Sequence, residues 1–199
     1  MTAPGVLPPP HEAVIALAPF TVRRTVRWSE CDPAGVVYAG KFPDYMANAV
    51  HQFRHHVMKA PVGPGPGRTY DTPGKALNIV FLGPLWPEDV FDMAVHLGSV
   101  GARTVHFHVM ATRADNGAPV FAGRLSSIYV APDDRLRTVP VPDEIRAMLT
   151  GYQSACGPAP GALGQVAVCF SPAEPAMNVR SDAPERTGVR FSRQVDLTM

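Results

Sequence analysis

The segment Trp28-Ser29-Glu30-Cys31-Asp32-Pro33-Ala34-Gly35-Val36-Val37-Tyr38 gathers residue types that can do chemistry. Asp32 beside Pro, Ala and Gly reads as the corner of a tight bend, and the apolar run after it leads into a helix. Such a bend sets a carboxylate close to a helix start, where backbone N–H groups lack intrahelical acceptors and carry partial positive charge. A carboxylate can attack a carbonyl carbon or activate a water, while an N–H holds the carbonyl oxygen as charge builds on it. Ester or thioester hydrolysis needs that pairing. The competing reading is architectural, because Asp before Pro shapes turns on its own account. Spacing alone does not separate the two. Glu30 is the nearest other carboxylate.

Other reactive residues form weaker patterns. Cys31 has no His at a telling distance and reads as a small buried residue beside the bend. His51 and His55 stand four apart on a predicted helix, a spacing that can bind metal, but no third ligand is apparent in the sequence. They read as surface or site-edge histidines. His106 and His108 share one strand face and read as solvent-facing or interface residues. Gly63-Pro64-Gly65-Pro66-Gly67 lacks the Lys-Ser/Thr of a phosphate loop. Neither a metal nor a redox cofactor is expected.

The elements that must position these residues follow from periodicity. Phe20–Trp28 alternates apolar and polar residues and predicts a strand. Phe42, Tyr45, Met46, Ala49, Val50, Phe53 and Val57 recur at spacings of three and four, predicting an amphipathic helix over 42–59 with Pro43 in its first turn. Four strand-like runs follow, Ala76–Leu82, Val90–Val100, Arg103–Thr112 and Pro119–Val130, with Asp115-Asn116-Gly117 turning between the last two. Pro142–Leu149 predicts a short final helix. The fold class is therefore α+β: an antiparallel sheet of five strands covered by one long helix.

The chain has 199 residues, which suits one domain with extensions. Residues 1–17 read as a flexible Pro-rich segment, 18–153 as the domain, and 154–199 as a Gly/Pro-rich extension, poorly ordered or loosely docked. Gln165–Phe170 is a candidate further strand in that extension. The net charge of +1 argues against a broad surface for nucleic acid or anionic membrane. Cys31, Cys156 and Cys169 are too few and irregular for a disulfide framework or zinc site and fit a reducing cytoplasm. The uncharged stretch Ala147–Ala173 is broken by Gly and Pro, so it does not read as a membrane span.

The run Glu30-Cys31-Asp32-Pro33-Ala34-Gly35-Val36-Val37-Tyr38 resembles the active-site signature of the 4-hydroxybenzoyl-CoA thioesterase family. Members carry an acid, a small residue and the catalytic Asp, then Pro-Ala-Gly or a close variant and an apolar pair. The resemblance extends from about Phe20 to Tyr152. It takes in Asp71-Thr72-Pro73 with Asn78, Glu88-Asp89-Val90, and Asp134-Arg135-Leu136-Arg137 with Val141-Pro142. It implies a hotdog fold, a sheet wrapped around one long central helix, and hydrolysis of an acyl-CoA thioester. Asp32 would act as nucleophile or general base, and backbone N–H groups near Tyr38–Gly40, those of Ala39 and Gly40, would polarise the carbonyl.

By the same resemblance Arg135 and Arg137 would contact the phosphates of coenzyme A, with Arg103 a weaker candidate. Two arginines two apart on an extended segment point the same way, which suits a polyphosphate. Ala39 stands where the family has Tyr or His. Ala47 stands where the 4-hydroxybenzoyl enzyme has an Asp facing the ring hydroxyl, so a hydrophobic acyl group, aromatic or medium-chain, is expected. The resemblance also implies a homodimer or homotetramer whose sites are shared, Asp32 from one protomer and the loop around Thr72 and Asn78 from the other. Two alternatives stand beside this reading: hydrolysis of acyl groups on acyl-carrier protein, and a hotdog module that binds acyl-CoA without turning it over.

Overall fold

A computed structural model describes residues 11–59, 69–157 and Leu163. The candidate strand Gln165–Phe170 and the Pro/Gly-rich residues 61–68 lie outside the described residues. The elements are β1 (Glu12–Leu17), β2 (Phe20–Thr25), α1 (Phe42–His56), β3 (Gly74–Phe81), β4 (Val90–Val100), β5 (Thr104–Arg113), β6 (Pro119–Ile128) and α2 (Asp143–Cys156). The strands form one antiparallel sheet in the order β1-β2-β4-β5-β6-β3.

Alternation decides which face meets α1. Phe91, Met93 and Val95 of β4 and Val105, Phe107 and Val109 of β5 are buried in one core with Tyr45, Met46, Ala49 and Phe53 of α1. Pro43 sits in the first turn of α1, Arg54, His55 and His56 complement the dipole in its last turn, and the left-handed Lys59 (φ 48°) lies just past its end. A Cβ on Gly123 of β6 would run into the Met46 sulfur and stand 3.0 Å from the Asn78 carbonyl oxygen, so glycine there lets α1 lie close against the sheet. The turn over Asp115-Asn116-Gly117 forms as expected, with Gly117 at φ 72° and its N–H donating to the Arg113 carbonyl at 2.9 Å.

The architecture is α+β with α1 covering the sheet, but it departs from the expectation in two respects. The sheet has six strands rather than five. Glu12–Leu17, expected within a flexible segment, pairs with β2 as an edge strand, although its apolar residues follow one another instead of alternating. The last helix is also longer than expected and runs through residue 156, past the expected domain end at 153. Ile145, Leu149 and Tyr152, spaced four and three apart, bury one face of α2. The Tyr152 hydroxyl donates to the Val95 carbonyl at 2.5 Å and accepts the Phe20 N–H at 2.8 Å, fastening α2 to β2 and β4.

The face turned away from α1 is not bare. Leu163 is buried there against Met110 of β5 and Ala122 of β6. Among the described residues no helix is long and apolar enough to cross a membrane.

Candidate active site

β2 ends at Thr25, and a single-turn helix over Trp28–Glu30 redirects the chain. Two short limbs then run antiparallel, with Cys31 opposite Val37 and the Tyr38 N–H donating to the Glu30 carbonyl at 3.0 Å. Asp32 is the corner between them. Its carbonyl accepts the Gly35 N–H at 2.9 Å, with Pro33 at the second turn position, where a fixed φ suits the bend. Gly35 adopts φ 81°, which only glycine takes readily. The Asp32 Oδ1 accepts the Ala34 N–H at 2.8 Å. The other oxygen, Oδ2, has no hydrogen-bond partner among the described residues, and Asp32 is half-buried. One carboxylate thus shapes the turn with one oxygen and keeps the other available.

Glu30 has the opposite environment. It is buried, Arg24 of β2 donates to Oε1, and the Arg27 N–H donates to Oε2 at 2.8 Å. Burial pushes its carboxyl up, but the Arg27 N–H and the Arg24 guanidinium outweigh this and hold it below the ordinary range. Arg24 also pairs with Glu12 of β1, and its guanidinium lies 4.5 Å from the centre of the Tyr45 ring on α1. This network ties β1, β2 and the site segment to α1, and both oxygens of Glu30 are taken.

The returning limb runs directly into a short helical turn over Ala39–Lys41 and then α1. Lys41 donates to the Tyr38 carbonyl at 2.8 Å, so the N–H groups of Ala39 and Gly40 precede the first intrahelical bond. A Cβ on Gly40 would stand 2.5 Å from the Tyr38 ring, so glycine lets the ring lie over the backbone there. The Glu88-Asp89-Val90 stretch anchors this end of the sheet. Asp89 accepts two bonds from Arg113 at 2.7 and 2.8 Å, and its carbonyl accepts the Val26 N–H at 2.9 Å.

The remaining predicted residues lie elsewhere. Asp71, Thr72, Pro73 and Arg135 line one cleft of about 230 Å³, so Thr72 and Arg135 are brought together. Arg137 is not aligned with Arg135 as an extended segment would require. Residues 134–137 form a turn, closed by the Arg137 N–H donating to the Asp134 carbonyl at 3.0 Å and by Asp134 Oδ1 accepting the Leu136 N–H at 2.9 Å. Arg137 instead pairs with Asp133 at 2.8 Å. Arg103 is exposed before β5, its carbonyl accepting the Tyr129 N–H at 2.9 Å. Asn78 does not join Thr72: strand alternation turns it to the face away from α1, opposite Arg124. There it ends a cross-strand row of His96, His108, Arg124 and Asn78. Burial lowers the His96 and His108 pKa values, and Arg124 lowers that of His108 further.

Asp32 and the Thr72–Arg135 cleft are at opposite ends of the sheet. The Asp32 hairpin adjoins the starts of β4 and α1, whereas Asp71 pairs with Val130 beyond the end of β6. The eight residues of β3 span that gap, roughly 25 Å at strand rise.

Sequence reasoning missed Arg54. It donates to the Ser127 hydroxyl and, at 3.4 Å, to the Thr72 carbonyl, beside a second cleft that Ala47 and His51 also line. The signal was the spacing of Ala47, His51 and Arg54, which share one flank of a helix. Among the described residues no third His, Cys, Asp or Glu joins His51 and His55 in a group able to hold a metal ion.

Comparison with known proteins adds the lineage. The family profile described as "Thioesterase-like superfamily" matches residues 26–149. A search of curated sequences finds no significant match. Among solved structures, a 1,4-dihydroxy-2-naphthoyl-CoA thioesterase from Synechocystis aligns with a TM-score of 0.55 and 18% identity, covering 66% of this chain and 95% of its own. A thioesterase superfamily structure from Jannaschia sp. CCS1 aligns at 0.57 and 21% identity, covering 73% and 97%. A Staphylococcus aureus protein solved in complex with CoA aligns at 0.57 and 13% identity, covering 70% and 87%. At these identities the likeness is one of fold, the hotdog fold of thioesterases.

Proposed function

The chain belongs to the thioesterase-like superfamily, and from that premise we propose that it hydrolyses an acyl-CoA thioester to the free acid and CoA. The observation that carries the reading is the Asp32 carboxylate, pinned through Oδ1 to Ala34 with Oδ2 unengaged by any described residue, on the hairpin that leads into α1. In this reading Oδ2 either takes a proton from a water that attacks the thioester carbon, or attacks that carbon itself to form an acyl-Asp32 anhydride that water then opens to the free acid and the carboxylate. The N–H groups of Ala39 and Gly40 receive the carbonyl oxygen, and CoA leaves as the thiolate. The residues used supply base, oxyanion donors and binding contacts, so the reaction so written needs no metal or redox cofactor. Glu30 is the poorer candidate because both its oxygens are occupied.

The distance between Asp32 and the Thr72–Arg135 cleft supports a site completed by a second copy. β3 is a sheet edge, and Leu77, Phe81 and Leu82 along it are exposed. Two copies paired antiparallel along β3 bring the Thr72 end of one beside the Asp32 end of the other. Thr72 and Arg135 of the partner subunit would then hold the CoA portion of the substrate. Two of the similar structures, a 1,4-dihydroxy-2-naphthoyl-CoA thioesterase and a protein solved in complex with CoA, agree with that substrate class. The acyl group proposed is hydrophobic in its body, aromatic or medium-chain. Steady-state assays across an acyl-CoA panel with free-thiol detection test the reading. Release of thiol from at least one member is expected, and tight binding with no release would leave a binding module instead.

A further inference from the structure

Between the second half of α1 and the β3–β6 edge lies a cleft of about 350 Å³. Val50 and Leu125 give it apolar walls, and its polar groups are Asn48, His51, Arg54 and Ser127. Ala47 and Arg54, seven residues apart on α1, set its extent at about 10 Å by helix rise. Neither the proposed chemistry nor the CoA contacts use this cleft.

Arg54 is the unusual member. The residue is half-buried, burial pulls its pKa down, and its guanidinium lies 5.4 Å from the centre of the Phe107 ring and donates to the neutral Ser127 hydroxyl and Thr72 carbonyl. Arg24 and Arg113, also shielded, each pair with carboxylates. Among the described residues no carboxylate pairs with Arg54. A guanidinium does not give up its proton in a protein, so this cation is held at a cost that an entering anion relieves. The planar donor fork suits a carboxylate.

We infer that this cleft, which lies at the Thr72 end of α1 and so beside Asp32 of the second copy in the pairing proposed above, receives the acyl group and that Arg54 selects acyl groups bearing a carboxylate at the end remote from the thioester. The inference rests on the acyl-CoA reading above and narrows its substrate class: an apolar body against Val50 and Leu125, with an anionic tip on Arg54. The other source of an anion in the substrate is a phosphate of CoA, and the test separates the two.

The substrates are 4-carboxybenzoyl and 4-methylbenzoyl thioesters, and adipyl and hexanoyl thioesters, each on CoA and on pantetheine, which lacks the nucleotide phosphates. The wild-type protein should favour the carboxylated member of a pair by about 10-fold or more in kcat/KM, on both carriers. Arg54→Met should erase that ratio through KM, and Arg54→Lys should keep part of it. A merely structural Arg54, clamping the Thr72 loop to β6, would weaken both members equally and leave the ratio unchanged. That result overturns the proposal, as does a wild-type preference for the uncharged member. An Arg54 effect seen on CoA but absent on pantetheine also overturns it and assigns the cation to a phosphate. Calorimetry with non-hydrolysable thioether analogues of the same pairs distinguishes the two levels of inference. Carboxylate-dependent binding without turnover of any thioester would sink the hydrolase reading and keep this one.

Discussion

Arg24 of β2 donates to one oxygen of Glu30, and two residues later Asp32 keeps an oxygen that no described residue engages. Carboxylates this close in sequence thus have different work. Glu30 is consumed in holding the hairpin to the sheet, and Asp32, at its tip, is left to meet a substrate.

Asp32→Asn should separate turn-forming from chemistry. Asn Oδ1 can still accept the Ala34 N–H, so the bend and the melting temperature should survive. Turnover of the best acyl-CoA should fall ~10²–10⁴-fold, the worth of positioned proton transfer. A folded variant that turns over at near-normal rate would remove Asp32 from the chemistry.

Glu30→Gln should act on stability instead. It removes the charge that Arg24 holds, at a cost of about 1–3 kcal/mol, visible as a melting temperature lowered by several degrees. The folded-state pKa of Glu30 lies below the ordinary 4.5. Its contribution is therefore complete above that value and lost as pH falls through the lower folded value. Melting curves should show a wild-type advantage at pH 7 that closes in acid; a gap that persists there contradicts the pairing.

The histidines of the outer sheet face should set a second pH dependence. Burial lowers His96, His106 and His108 below 6.5; Arg124 adds to this for the last two, and Lys75 for His106. The unfolded chain takes up protons first as pH falls. The stability these neutral rings contribute is present above 6.5 and lost on descent through their folded values. The double variant His96→Gln, His108→Gln should show a shallower fall in melting temperature between pH 7.5 and 5.5 than the wild type. An unchanged slope would mean that other groups govern it.

Arg135→Ala and Arg137→Ala should not be equivalent. Arg135 lines the cleft with Thr72, while Arg137 is engaged by Asp133. Removing Arg135 should raise KM for acyl-CoA more than it lowers kcat, because it holds a part of the substrate that does not react. The defect should shrink on acyl-pantetheine, and Arg137→Ala should be milder on both. Equal losses on the two carriers would argue against a phosphate contact.

Leu77→Asp tests the shared site. Leu77 is exposed on the edge strand β3 and on the face toward α1, so a carboxylate there should repel its counterpart across a two-fold pairing. The wild type should scatter light as at least a dimer, and the variant should be smaller and lose most of its turnover. A fully active monomer would show that one chain holds a complete site.

Local chemistry was legible in the sequence. Alternating residues located β4, β5 and β6 nearly to their ends, three-four spacing located α1, and Asp115-Asn116-Gly117 located a hairpin, because each signal arises among residues that are close in sequence. The Asp32 bend was legible for the same reason: Asp, Pro and Gly at turn positions constrain their own backbone. What only the tertiary structure decided depends on partners far along the chain. Glu12–Leu17 becomes a strand because β2 offers an edge, and α2 extends to residue 156 because Tyr152 reaches Phe20 and Val95. Strand register turns Asn78 away from Thr72, and the length of β3 separates Asp32 from Arg135. Nothing in the sequence marks Arg54 out as shielded, because it is the fold that closes Phe107, Thr72 and Ser127 around it. Desolvation is set by neighbours in space, and no pattern along the chain encodes it.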